Sequence, residues 1–388
     1  MIRLRRPSML VIVLAALVPA APCRSEDRVA QQQQISQIRQ IVLNRRDDPA
    51  ALAYLVQLTS SLAPLEGATL FGLLAHDFLA ATNYDLAGSV LRQLVDQYPQ
   101  QPAAADGMLT LVRLYASSEV ASTQTLVSGH TLSGADLATY ALHQAGQARA
   151  QNSSLAADPA FTFQCAVAAR RSGRHSLAQG YLTPLKHNPR AQPWHGRAQA
   201  EAWLTTRRDE DSPLPTRRCS RAASRPQLDG KLGEPLWRSS TAAETSKATI
   251  FCFAWDDEFL YLAARCEKTP GADYPIDRRK RSYDADLSAH DHIRLRLDLD
   301  RDYATSFSLE IDHRGWTADR CWLANDWNPR WFVAAQQDDT HWNVEGAIPW
   351  TELGGSAPPA SEAWAIACER VPPMSPPVEA DFELLLFE

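Results

Sequence analysis

The sequence predicts a multidomain protein, α then β: a short α-solenoid of helix pairs followed by an antiparallel β-sandwich. Three observations carry that prediction. Apolar residues recur at three- and four-residue spacing up to residue 206 and at alternate positions beyond residue 224. Of eleven tryptophans, only Trp194 and Trp203 precede residue 220. Between the halves, residues 207–223 hold Asp209-Glu210-Asp211, Pro213, Pro215 and Arg217-Arg218 without apolar periodicity, and read as a linker. A chain of 388 residues, 45% hydrophobic and 22% charged, is ordinary globular stock for two or three domains. A net charge of -6 supplies no basic field for nucleic acid.

Residues 1–22 read as a signal peptide. Arg3, Arg5 and Arg6 precede an unbroken apolar run from Met9 to Val18, and small residues follow. The run is half of what a membrane-spanning helix needs, and no later segment is longer, so the expectation is a secreted or periplasmic chain with no membrane span. Pro22 argues against a lipid on Cys23. Cys165, Cys219, Cys252, Cys266, Cys321 and Cys368 remain after processing, as buried thiols or as one or two structural bridges.

Residues 23–206 read as helices. Ile35, Ile38, Ile41 and Val42 share one face, as do Leu70, Leu73, Leu74 and Phe78, and Met108, Leu111, Val112 and Tyr115. A helix through Leu86–Leu94 stops at Tyr98-Pro99, and the same phrasing returns in Ser176–Leu182 before Asn188-Pro189. These phrases resemble degenerate tetratricopeptide-like repeats. That resemblance implies two to four stacked helix pairs and a surface for a protein partner.

From residue 224 the period is two. Ile293, Leu295, Leu297 and Leu299 alternate with Arg294, Arg296, Asp298 and Asp300, and Phe307, Leu309 and Ile311 answer them across a short connection. Ile250–Trp255 pairs with Phe259–Ala264, and Trp331–Ala335 with Trp342–Ile348. Trp364–Cys368 and Phe382–Phe387 add further strands, and the run without helices predicts a sandwich.

Four phrases then occur in order: Leu228-Asp229-Gly230 with Pro235-Leu236-Trp237; Phe253 to Tyr261, including Trp255 and Asp256; Asp291 before the alternating strand; and Trp342 to Trp350, including Glu345. Together they resemble the carbohydrate-binding module family 9-like domains, sandwiches related to the DOMON group, over residues 224–388. The resemblance implies noncatalytic binding of xylan- or glucan-type polysaccharides or oligosaccharides beside glycoside hydrolases in carbohydrate catabolism. It requires no cofactor and implies structural calcium. Asp229, Trp237, Trp255, Asp256, Tyr261, Asp291, Glu345 and Trp350 are expected to be mainly structural, with Trp237 closing one end of the core and Glu345 pointing away from it.

The family's sugar lies between two tryptophans, and the aligned positions here are Ser288 and the tryptophan-free segment 371–377. A sugar-contacting carboxylate aligns with Arg294. Trp316, Trp322, Trp327 and Trp331 are the substitute carbohydrate-binding candidates, because indole faces stack on pyranose rings. Trp322 and Trp327 lead them.

Asp298-Leu299-Asp300-Arg301-Asp302 is calcium-like in composition but fails as an EF-hand, with Tyr303 at the glycine position and Leu309 where a bidentate Glu belongs. His290-Asp291-His292 reads as a solvated strand start rather than a metal site. Arg278–Arg281 reads as a solvated loop. The sequence holds no GxSxG, HExxH or phosphate-cradling glycine loop, so the functional expectation is an exported noncatalytic carbohydrate-binding protein. The alternative is a docking protein whose sandwich has lost sugar binding.

Overall fold

The computed structural model describes residues 25–388 except 47, 49, 125–132, 207–210, 240–243, 247, 277–281 and 376–379. The expected signal peptide, Cys23, the basic run at 278–281 and Pro376-Pro377 lie outside the described residues. The chain divides into two compact units, Met1–Leu58 and Thr59–Glu388. The first holds α1 (Ser25–Leu43) and nearly all of α2 (Ala51–Thr59), with Val42 and Leu55 buried.

The second unit opens with α3 (Pro64–Ala80), α4 (Tyr84–Gln97), α5 (Pro102–Ala116), α6 (Ser118–Gln124), α7 (Gly134–Gln151), α8 (Ser153–Ala157), α9 (Pro159–Arg171), α10 (His175–Lys186) and α11 (Trp194–Thr206). Local chemistry sets their starts. Proline occupies the first turn of α3, α5 and α9, where its missing N–H costs no helical bond, and the Asn83 and Ser133 side chains accept from the first turns of α4 and α7. The expected face of α3 is buried at Leu70, Leu74 and Phe78, with Leu73 at its exposed margin. Packing runs α3 on α4, α4 on α5, α5 on α7, α7 on α9, α9 on α10 and α10 on α11.

The β region contains β1 (Thr216–Arg221), α12 (Pro235–Ser239), β2 (Glu244–Ser246), β3 (Thr249–Trp255), β4 (Phe259–Glu267), β5 (His292–Asp298), β6 (Phe307–Asp312), β7 (Thr317–Cys321), β8 (Phe332–Gln337), β9 (His341–Pro349), α13 (Trp350–Leu353), β10 (Ala363–Val371) and β11 (Glu383–Phe387). The paired strands expected from the alternation are all antiparallel neighbours: β3 with β4, β5 with β6, and β8 with β9.

The sheet is nevertheless mixed, and it is one sheet rather than two stacked ones. Its order is β7-β6-β5-β10-β11-β1-β3-β4-β9-β8, with β2 on β3, and it curls into a half-barrel around a shared core. The join is β1, which runs parallel to β11 through Thr216–Cys219 and then parallel to β3 through Ser220–Arg221. This strand lies inside the stretch that the sequence marks as a linker. Its inward positions are Arg217 and Cys219, and a buried guanidinium paired to Glu383 (2.5 Å) replaces the apolar residue that would have revealed the strand.

Helices cover part of the sheet's outer side. In β10 both faces are buried: Trp364, Ile366 and Cys368 enter the shared core, while Ala365 and Ala367 pack outward with Phe163, Ala166, Leu182 and Ala198 of the helices. The cysteines from Cys165 to Cys368 all sit as buried thiols.

Candidate functional site

The outer face of β5 carries a ladder of charged side chains. Register places Arg294 opposite Glu310 of β6 and Glu369 of β10, so period-two alternation lines these side chains up outside the core. The Arg294 guanidinium donates to Glu310 (2.7 Å) and Glu369 (3.3 Å), and Arg296 donates to Glu369 (3.2 Å) and to the Ala380 carbonyl (2.6 Å). Charge is balanced along this ladder. Above it lies a cleft of about 380 Å³ with His292, Arg294 and Glu310 among its lining residues, together with Ser288, Arg320 and Asn325. Val371 and Ser375 contribute as well, so Ser288, Arg294 and the segment after β10 meet in one place. Hydroxyl-bearing ligands suit such a lining, which offers planar donors and acceptors.

The tryptophan candidates do not gather into a platform. Trp327 is buried in the shared core and stacks on Phe307 with ring centroids 4.4 Å apart. Trp331 is buried too, and its indole N–H donates to Asp319 (3.3 Å). Trp327 does lie outside the strands, between β7 and β8, but its ring turns into the core and offers no exposed face for a sugar to stack on. Trp316 is half-buried under the Arg314 guanidinium, 3.9 Å from the ring centroid. Trp322 is half-buried in a tight turn with φ 52°, its N–H donating to the Ser306 carbonyl (2.8 Å). None of the four lines the cleft.

The family-motif residues hold the scaffold together. Glu345 does leave the shared core, as its position in the alternation implies, yet it is fully buried on the other face. There it accepts from the backbone N–H of Asp229 (2.9 Å) and Gly230 (2.6 Å) and from the Trp237 indole (2.9 Å). Burial outweighs these bonds and raises its pKa. Trp237 therefore packs on the outer side of β3, β4 and β9 with Tyr261 and Ala347, instead of closing an end of the main core. Gly230 has φ 78°, and a Cβ there would meet the Gln336 backbone nitrogen at 2.7 Å, so only glycine makes this turn.

Asp256 organises the β3–β4 turn. It accepts from the N–H groups of Glu258 and Phe259 and from the Tyr261 hydroxyl (2.6 Å), bonds that outweigh burial and lower its pKa, and its carbonyl receives the Trp350 indole. Trp255 lies in the shared core. Asp291, 1% exposed, accepts from Arg370 (2.5 Å), Tyr274 (2.6 Å) and Trp342 (3.2 Å). Those partners consume the carboxylate at the centre of His290-Asp291-His292. His292 itself turns Nδ1 to the His290 carbonyl and Nε2 toward Glu310.

Of a second site, sequence reading marked the aspartates at 298, 300 and 302 but missed Glu119. Past the end of β5, Glu119 of α6 meets Asp298 and Asp300, each offering a ligand oxygen within 4.8 Å of the others, all buried, and this is the group able to coordinate a metal ion among the described residues. Burial first, and then Asp302, Glu119 and Asp300, push the Asp298 carboxyl well up. Burial, Asp300 and Asp302 likewise raise Glu119, and burial with Asp300 pushes Asp302 up to about 7. Nearby, Arg301 turns away from the aspartates to Glu201 of α11 (2.8 Å), which also pairs with Arg170 of α9. Burial raises the Glu201 carboxyl, but the two guanidinium groups outweigh it and hold the pKa below its usual value. The alternation had marked Asp298 and Asp300 as solvent-facing. No signal in a single sequence pairs position 119 with position 298.

Among the described residues no helix is long and apolar enough to cross a membrane. No protein-family model matches the chain, and no curated protein is similar to it. A solved structure, described as a "putative carbohydrate-binding protein" from Bacteroides uniformis, is similar over 45% of this chain and 100% of that chain, at 10% identity and a TM-score of 0.32.

Proposed function

We propose that this protein is an exported, noncatalytic carbohydrate-binding protein of the family 9-like type, and that the cleft over Arg294 receives the end of a xylan- or glucan-type chain. One observation carries the reading: Ser288, Arg294 and Val371, scattered in sequence and aligned by resemblance with the family's sugar-contacting positions, line a single cleft. With no indole in that cleft, recognition rests on hydrogen bonds with sugar hydroxyls, to which Arg320 and Asn325 donate and from which Glu310 and Asp286, also in the lining, accept. Affinity is then lower than stacking would supply. The stacked helices from α3 to α11 are read as an irregular tetratricopeptide-like scaffold for a protein partner, and export rests on the leader in residues 1–22.

The test uses the whole chain, because helices and sheet share one compact unit. Titration calorimetry against xylo- and gluco-oligosaccharides is expected to show binding that Arg320→Ala with Asn325→Ala reduces at least tenfold and Trp322→Ala leaves in place. Loss with Trp322→Ala alone would move the site to the β7 turn. No binding to neutral or acidic glycans by the folded chain would overturn the proposal in favour of the docking reading, which the absence of tryptophan from the cleft favours.

A further inference from the structure

We propose that Asp298, Asp300 and Asp302, completed by Glu119 from the helical region, form a calcium site that fastens α6 to the β5–β6 connection. As a contiguous loop the segment lacks its last ligand, because Leu309 lies in the core. The fold supplies a carboxylate from 179 residues earlier in the chain (298 − 119), outside the region that resembles the family 9-like modules.

Two orphaned oxygens point to a ligand. The Asp300 side chain is 4% exposed; its Oδ2 accepts from the Ser118 N–H (2.5 Å), while its Oδ1 is buried and accepts nothing. Gln164, fully buried on α9, donates its amide to the Asp302 carbonyl (2.8 Å), and its Oε1 is also buried without a donor. A buried oxygen without a donor costs free energy unless a cation or water meets it. Among the described cations, Arg171 reaches 3.9 Å from Asp300, Arg113 lies within electrostatic reach of Asp302 and Arg197 within reach of Asp298 and Asp302, whereas Arg170 and Arg301 are engaged by Glu201. Four carboxylates therefore face three guanidinium groups, of which Arg171 alone makes an ion pair with them among the described residues.

The donor set is all oxygen. Such a set suits a hard cation, and carboxylates mixed with a carbonyl and hydroxyls such as those of Ser117 and Thr305 match the irregular coordination that calcium accepts and magnesium does not. Bound there, the ion links α6 to the sheet.

The test is calorimetric titration of calcium chloride into the chelator-stripped whole chain, with thermal unfolding in parallel. One calcium per chain is expected, with a melting-temperature rise of at least about 3 °C at a hundredfold excess over Kd. Glu119→Gln and Asp300→Asn, which keep shape and hydrogen-bond acceptors, should each weaken binding at least tenfold and abolish most of the rise, while Asp338→Asn in a remote exposed turn leaves both unchanged. No heat and no thermal shift for the wild-type chain at millimolar calcium would overturn the proposal, as would binding that survives both cluster variants. Should a variant fail to fold, the wild-type stoichiometry and the calcium-over-magnesium preference still decide.

Discussion

The two ends of β5 present the same outward face to different surroundings. At one end Arg294 lies in an open cleft, its charge balanced by Glu310 and Glu369 in neighbouring strands. At the other end Asp298 continues the same alternation but is fully buried under α6, grouped with the carboxylates of Glu119 and Asp300. Register delivered both sets of side chains to one face; the covering helices decided which would line an open cleft. Charged residues at alternate strand positions therefore say which face they occupy and nothing about whether water reaches it.

The sharpest way to break the sealed end is Glu201→Ala. It strands Arg170 and Arg301 without their shared carboxylate, and the expected loss is about 3–5 kcal/mol in denaturant unfolding. The same change should leave the cleft's ligand preference alone in whatever fraction remains folded. A loss under about 1 kcal/mol would mean that helices and sheet are not held by this pair.

A pH titration sharpens the comparison near the open end. His313, 2% exposed with both ring nitrogens buried and without hydrogen-bond partners, sits against Tyr274 and His290, and burial pushes its pKa down to about 4. The folded value lies below the unfolded one, so the neutral ring's contribution is complete above about pH 6.5 and is lost as pH falls toward 4. On the order of 2–3 kcal/mol should disappear across that window in the wild-type chain. His313→Phe is expected to flatten the slope, and an unchanged slope would assign it to other groups.

Smaller effects belong to the ladder and the rim. Arg294→Ala leaves Glu310 with Arg320 and His292 and leaves Glu369 with Arg296, and about 1–2 kcal/mol of stability should go with it. Arg320, 43% exposed and 4.0 Å from Glu310, should cost no more than about 0.5 kcal/mol as alanine while weakening any glycan bound in the cleft. Equal stability losses at Arg294 and Arg320 would contradict the division drawn here between a structural ladder and a ligand rim.

Much of the architecture was legible because it follows from periodicity. The alternation through Ile293, Leu295 and Leu297 named β5, Phe307, Leu309 and Ile311 named its partner, and Tyr98-Pro99 marked the break between α4 and α5. The linker reading failed at β1 because a strand that buries Arg217 against Glu383 looks polar from end to end. Next to Asn325-Asp326 and Asn328-Pro329, Trp327 does lie outside the strands, but nothing in those neighbours shows that its ring stacks on Phe307 inside.

The sequence by itself determined the helical first half, the strand pairs β3–β4, β5–β6 and β8–β9, and the outward placement of Arg294 and Asp298, since these depend on local backbone geometry and a period of two or 3.6 residues. Tertiary structure alone decided that β1 would weld one mixed sheet, that Glu345 would bind the Asp229-Gly230 turn, and that Glu119 would reach Asp298 and Asp300. Those outcomes depend on contacts between residues well separated in sequence, 34 positions for Ser220 with Ala254 and 179 for Glu119 with Asp298 (254 − 220 and 298 − 119), and burial, not residue type, sets whether a carboxylate there is solvated, paired or left in need of a cation.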